Sequence, residues 1–255
     1  MSTKTILLNF LISTTCFSQT GKEIAIMIDK LSSPSDMRNE TTMVLTNSKG
    51  KSRTNKMISQ ILNGSEKQIT WFIEPKDDRG VAFLKIEHSD KDDEMRMWLP
   101  EFKKIRRISS KRKGDSFMAS DLSYEDLSNR ELKHHTYKRL NDEVVSNIDC
   151  YVIDVFPGVD AKSTYSKHTS WIDKSTLNII KEESFDKRGE LIKKKRFLHK
   201  KIKDYYVMSQ IDVENVQKKH TTKIIFDKIE VDQGLDRPLF YQRSVSYTHL
   251  RAHET

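Results

Sequence analysis

Short β-rich runs recur about every ten residues through most of this chain, and a single amphipathic helix is all that is available to roof them. Residues 41–46, 69–74, 81–86, 95–99, 104–108, 151–155, 170–173, 177–180, 205–208 and 222–226 read as strands, and 47–50, 75–80 and 186–189 as the turns between some of them. Many of these runs alternate polar and apolar residues, as in a sheet with one solvated face, and the apolar face must be covered. Ile24, Met27, Ile28 and Leu31 have helical spacing, which predicts one helix ended by Ser32-Ser33-Pro34-Ser35. A helix of about three turns covers a sheet of about ten strands only if the sheet curls around it. The predicted fold is therefore mainly β: a strongly curved antiparallel sheet, or incomplete β-barrel, with a small helical lid. Its hollow would be a ligand site.

The chain has 255 residues, enough for one large domain or two small ones, and 11 Phe, 8 Tyr and 3 Trp give it aromatic mass for a core. No run approaches the roughly 18 apolar residues that span a bilayer. Lys4 followed by the apolar stretch 6–12 and the small residues Cys16 and Ser18 reads as a signal peptide over 1–18. That leaves Cys150, on a half-buried strand, as the one thiol, and a lone strand cysteine reads as a small core residue. The last residues, 245–255, resemble one translated frame of a sequencing-library adapter, so His249 and His253 carry no meaning as a metal pair. The folded unit is expected over 19–244.

Trp98-Leu99-Pro100, then Lys104-Ile105-Arg106-Arg107-Ile108, then Gly114-Asp115-Ser116-Phe117-Met118-Ala119-Ser120-Asp121, then Ser123-Tyr124-Glu125-Asp126-Leu127 form one continuous signature. It resembles the bacterial outer-membrane lipoprotein-sorting protein family, whose fold is similar to the periplasmic lipoprotein carrier LolA. Ala119 stands where the family usually has Gly, and Leu239 to Arg243 resembles the family's closing strand. The resemblance implies an exported, periplasmic protein whose hollow takes acyl chains, and an inner-membrane exporter of the resistance-nodulation-division (RND) type as a partner. It is an argument from fold rather than from a site.

Residues 103–113 hold seven basic side chains in eleven, and 193–201 form a second basic cluster. Export makes nucleic acid an unsuitable partner. One reading is contact of Lys104, Arg106 and Arg107 with anionic lipid headgroups or an acidic partner, at about 1 kcal/mol per basic residue near a charged membrane. The other is a solvated sheet face, with Arg107 on the side of Ile105 and able to point inward. Gly114-Asp115-Ser116-Phe117 is superficially like the nucleophile block of lipid esterases, but no Asp-x-x-His follows to supply the base, so Asp115 and Ser116 are expected to bond backbone. His134 and His135 are neighbours on a strand-like stretch and point apart, and the remaining histidines lack ligand spacing. No metal and no cofactor are expected, and no enzyme.

The function expected is that of a carrier or chaperone for the acyl chain of a lipoprotein or lipid, in outer-membrane lipoprotein sorting. Ile24, Met27, Ile28 and Leu31 of the lid and Trp98, Phe117, Met118 and Tyr124 of the signature would line the site. Burial of about 0.8 kcal/mol per methylene gives a chain of about 16 carbons on the order of 10 kcal/mol before ordering costs. The alternative is a ligand-free accessory subunit of an envelope exporter, its hollow filled by side chains.

Overall fold

The computed structural model describes residues 19–235 and Phe240. The signal segment 1–18, the adapter-like tail 245–255 and the closing strand 239–243, apart from Phe240, lie outside the described residues.

Helix α1 (Gly21–Asp29) opens on a capping box: the Thr20 hydroxyl accepts from the Glu23 amide and the Glu23 carboxylate accepts from the Thr20 amide. Gly21 is required there, because a Cβ would sit 2.9 Å from the backbone of Lys138 and Arg139. The helix ends before Leu31, which is 41 % exposed and does not continue the buried stripe, contrary to the expected extent of the helix.

Fourteen strands follow: β1 (Asp36–Thr46), β2 (Ser52–Leu62), β3 (Lys67–Glu74), β4 (Ala82–Ile86), β5 (Glu94–Leu99), β6 (Lys104–Ile108), β7 (His135–Arg139), β8 (Glu143–Val145), β9 (Ile148–Pro157), β10 (Lys167–Asp173), β11 (Ile179–Phe185), β12 (Leu191–Ile202), β13 (Tyr205–Asn215) and β14 (His220–Val231). They form one antiparallel sheet in the order β6-β5-β4-β3-β2-β1-β14-β13-β12-β11-β10-β9-β7, with β8 on β9. The β1–β14 pairing, Met43 opposite Ile224, joins the two halves of the chain at the middle of the sheet.

The sheet is rolled. Asp126, in the loop between β6 and β7, takes ion pairs from Lys193 and Lys195 of β12, while the carbonyl of the next residue, Leu127, accepts from Lys85 of β4. β4 and β12 lie six strand spacings apart, about 29 Å in a flat sheet. Adjacent residues reach both only if the sheet curls around the loop. It does not close into a barrel. Instead Met95 and Ile108 at the β6 end and His135 at the β7 end border one polar cavity of about 510 Å³, so the two free edges face each other across an open seam.

β2 and β12, absent from the sequence reading, have polar inward positions. Asn55 and Ser59 of β2 are buried and bonded to Asp78 and Thr70. The basic run of β12 is not a solvated face: Lys194, Arg196, Lys200 and Lys201 are exposed, but Lys193 and Lys195 point inward and are buried.

The hollow is occupied, in contrast to the open trough expected. Phe117, Leu122 and Tyr124 of the signature loop fill its apolar half together with Met43, Met57, Phe72, Phe83, Met97 and Ile224. On the convex face, Trp98 packs with Leu62, Ile69, Ala82 and Leu84 under Leu235 and Phe240.

Candidate functional site

The concave face has three zones. At one end, β7, β9 and β10 present Tyr137, Tyr151, Ile153, Val155 and Ile172 to helix α1, whose Ile24 is fully buried and whose Met27 and Ile28 are partly buried against them. At the other end, the signature loop covers β1 to β6 and β13 to β14. The Phe117 ring meets Phe83 edge-on at 5.1 Å and Tyr124 edge-on at 5.9 Å. Between them runs a charged belt.

The belt follows the strand alternation. His168 and Ser170 of β10 face Ser184 and Glu182 of β11, which face Lys193 and Lys195 of β12, and all six are buried. Arg130 adds two hydrogen bonds to Glu182, at 2.6 and 2.8 Å. Lys195 bridges Asp126 at 2.5 Å and Glu182 at 3.1 Å. Tyr165 donates to Asp126 at 2.9 Å and receives Lys193 at 2.6 Å.

Burial works against the Asp126 carboxylate, yet Lys195 and Lys193 outweigh it and hold the group well below the usual range. Burial opposes Glu182 in the same way, and Arg130 and Lys195 hold it low. Burial, helped by the Arg130 charge, pushes His168 well down, so its imidazole is neutral. Burial lowers Lys193 despite Asp126, and both burial and Asp126 raise Tyr165.

The signature is the anchor of the loop. Asp121 accepts from Thr222 at 2.7 Å and lies 2.6 Å from His220, both on β14. Glu125 accepts from Ser163 and from the Thr164 amide and hydroxyl. Gly114 lets that segment approach, since a Cβ there would lie 2.6 Å from Thr164. The Asp115 carboxylate pairs with Arg112 rather than with backbone, while Ser116 forms a backbone bridge with Ser123. Among the described residues no histidine or carboxylate hydrogen-bonds the Ser116 hydroxyl, and no group of three or more His, Cys, Asp or Glu side chains is placed to hold a metal.

The sequence-derived site residues therefore divide. Ile24, Met27 and Ile28 share the helix zone, and Leu31 lies outside it. Phe117, Met118 and Tyr124 share the loop zone. Trp98 is on the opposite face of the sheet. Lys104, Arg106 and Arg107 are exposed on the edge strand β6, so Arg107 does not point into the interior. His134 and His135 both border the seam cavity. The belt escaped the sequence reading. Its signal is an alternation of polar and charged side chains, Lys193 with Lys195 and Glu182 with Ser184, in place of an apolar one.

A family model described as "-like: Uncharacterized protein" matches residues 64–246. No curated protein matches. Among solved structures, a protein from Vibrio parahaemolyticus described as an outer membrane lipoprotein-sorting protein domain is 30 % identical, with TM-score 0.84, covering 89 % of this chain and 98 % of its own. A DUF1329 family protein from Desulfovibrio piger is 28 % identical at TM-score 0.83, covering 88 % and 97 %. A LolA superfamily protein from Nitrosomonas europaea shares the fold at 18 % identity and TM-score 0.70, covering 89 % and 100 %. With 30 % identity sustained over nearly the whole of the first of these, the chain belongs to the outer-membrane lipoprotein-sorting protein family and has its LolA-like fold.

Proposed function

We propose that this protein is a periplasmic carrier that takes one acyl chain of a lipoprotein or lipid beneath helix α1, in the zone of Tyr137, Tyr151, Ile153, Val155 and Ile172. The observation that carries the reading is how differently the two covers are held. Among the described residues, no ion pair and no side-chain hydrogen bond ties residues 21–29 to the sheet; α1 rests on β7 and β9 through apolar contacts. The signature loop is tied by Asp121, Glu125 and Asp126, and lifting it would leave Lys193 without a carboxylate and Lys195 with Glu182 alone.

Magnitudes favour the helix as the lid. Exposing a buried apolar side chain costs about 1.5–3 kcal/mol, and a chain of about 16 carbons contributes on the order of 10 kcal/mol on burial. Breaking a buried ion pair costs about 3–5 kcal/mol for each charge left alone. Cargo entering under α1 replaces apolar contacts with apolar contacts. Binding then rests on burial, and no bond is made or broken.

A second reading, a ligand-free accessory subunit of an RND-type exporter, is favoured by the loop that fills the larger apolar zone. Displacement of a fluorescent fatty acid separates the two. Wild-type protein is expected to retain the probe, and Met27→Asp or Ile28→Asp to weaken retention about tenfold or more while the β-rich circular dichroism persists. A wild-type protein that takes up no probe and carries no lipid on extraction would support the subunit.

A further inference from the structure

Five cations cluster around the short edge strand β6. Lys103, Lys104, Arg106, Arg107 and Lys111 are all exposed or rim an exposed strand, and among the described residues none of them has an ion pair. Most other exposed cations near the seam are already neutralised, as Lys162 is by Asp92 and Lys133 by Glu131. Glu101 is the one acidic residue between 100 and 114. Beside the cations, in the turn Pro100–Phe102, Phe102 stands 61 % exposed.

Lys104, Arg106 and Arg107 lie on β6, the free edge of the sheet, with Phe102 and Lys103 just before it and Lys111 just after, and that edge borders the seam through Ile108. Because side chains alternate along a strand, Lys104 and Arg106 project to one side of the rim and Arg107 to the other. Lysine and arginine on a free edge discourage pairing with another strand. β6 is also only five residues long. A partner chain is thus poorly served, whereas a surface of diffuse negative charge with an apolar layer beneath it fits both the cations and the phenyl ring.

We infer that the β6 edge, with Phe102 as its apolar anchor, docks the protein on an anionic lipid bilayer and so brings the open seam of the rolled sheet against the membrane. This does not require that an acyl chain is the cargo, since docking is read without any cargo present.

Flotation of the full-length protein with vesicles is the test. Vesicles of phosphatidylcholine with phosphatidylglycerol are expected to carry the protein at low salt and to release it at high salt, and vesicles of phosphatidylcholine alone to leave it behind. The triple variant Lys104→Gln, Arg106→Gln, Arg107→Gln is expected to bind about a hundredfold more weakly. Phe102→Ser is expected to lose about tenfold. A control variant on the exposed face of β12, Lys194→Gln with Lys200→Gln and Lys201→Gln, is expected to bind within about threefold of wild type. All these side chains are exposed, so unaltered thermal unfolding of each variant verifies its fold. Three results would overturn the inference: binding to neither vesicle, which leaves an acidic protein as the partner of the edge; equal binding to both; or equal losses from the β6 and β12 variants.

Discussion

At Ala119 the backbone is left-handed, with φ 61°, and Met118 before it has φ 48°. An L-residue pays about 1–2 kcal/mol for that conformation and glycine does not. Ala119 is exposed, so its methyl group is not a buried part of the core. The position where the family resemblance led to an expected Gly is thus one where glycine fits the geometry better. Ala119→Gly is expected to stabilise the fold by up to about 1 kcal/mol, after the greater freedom of glycine in the unfolded chain is set against the relieved strain. A higher midpoint in chemical denaturation would bear this out, and a lower one would mean that the loop relaxes around alanine. The other signature residues explain themselves in the same local terms. Asp121, Glu125 and Asp126 occur together because each ends on a different part of the rolled sheet or its flanking segments.

Elements were legible where their buried face was apolar. Strands β3 and β4 carry Ile69 and Leu84 on one face and Phe72 and Phe83 on the other, and the hairpin they form follows from these two apolar runs and from the turn between them. β12 was illegible because its inward positions are Lys193 and Lys195, which sequence periodicity assigns to solvent. Their burial makes sense only with Asp126 and Glu182, residues 67 and 13 positions away in the chain. The belt they form has a consequence for pH. His168 faces Arg130, Glu182, Lys195, Asp126, Tyr165 and Ser184, and the folded state holds it neutral well below its ordinary value of 6.5. Below that value the unfolded chain binds a proton that the folded chain refuses, so stability falls as the pH drops. His135 and His199 are lowered by burial and act in the same direction. Asp126 and Glu182, also lowered, extend the loss further into acid. His168→Asn keeps an acceptor near the position of Nδ1 and is expected to flatten the fall in denaturation midpoint between pH of about 6.5 and about 5 without abolishing it. An unchanged slope would show that His168 does not contribute.

On the scale of the whole molecule, a sheet with too little helix to cover it does roll up, as the count of strands against helices implies. What the strand pattern did not reveal is that the interior is divided. One chain segment far from α1 fills one apolar zone, a band of paired charges crosses the middle, and the helix covers the remaining zone alone. A charged band of this kind limits how far an apolar guest reaches, because passing it would expose Glu182 and Lys195 to hydrocarbon. The most direct test is photo-crosslinking with a diazirine-bearing fatty acid, followed by peptide mapping. Adducts are expected on residues 21–29 and on the strand segments holding Tyr137, Ile153 and Ile172. Adducts concentrated on Phe117, Leu122 and Tyr124 would contradict the account by making the signature loop, and not the helix, the cover that cargo displaces.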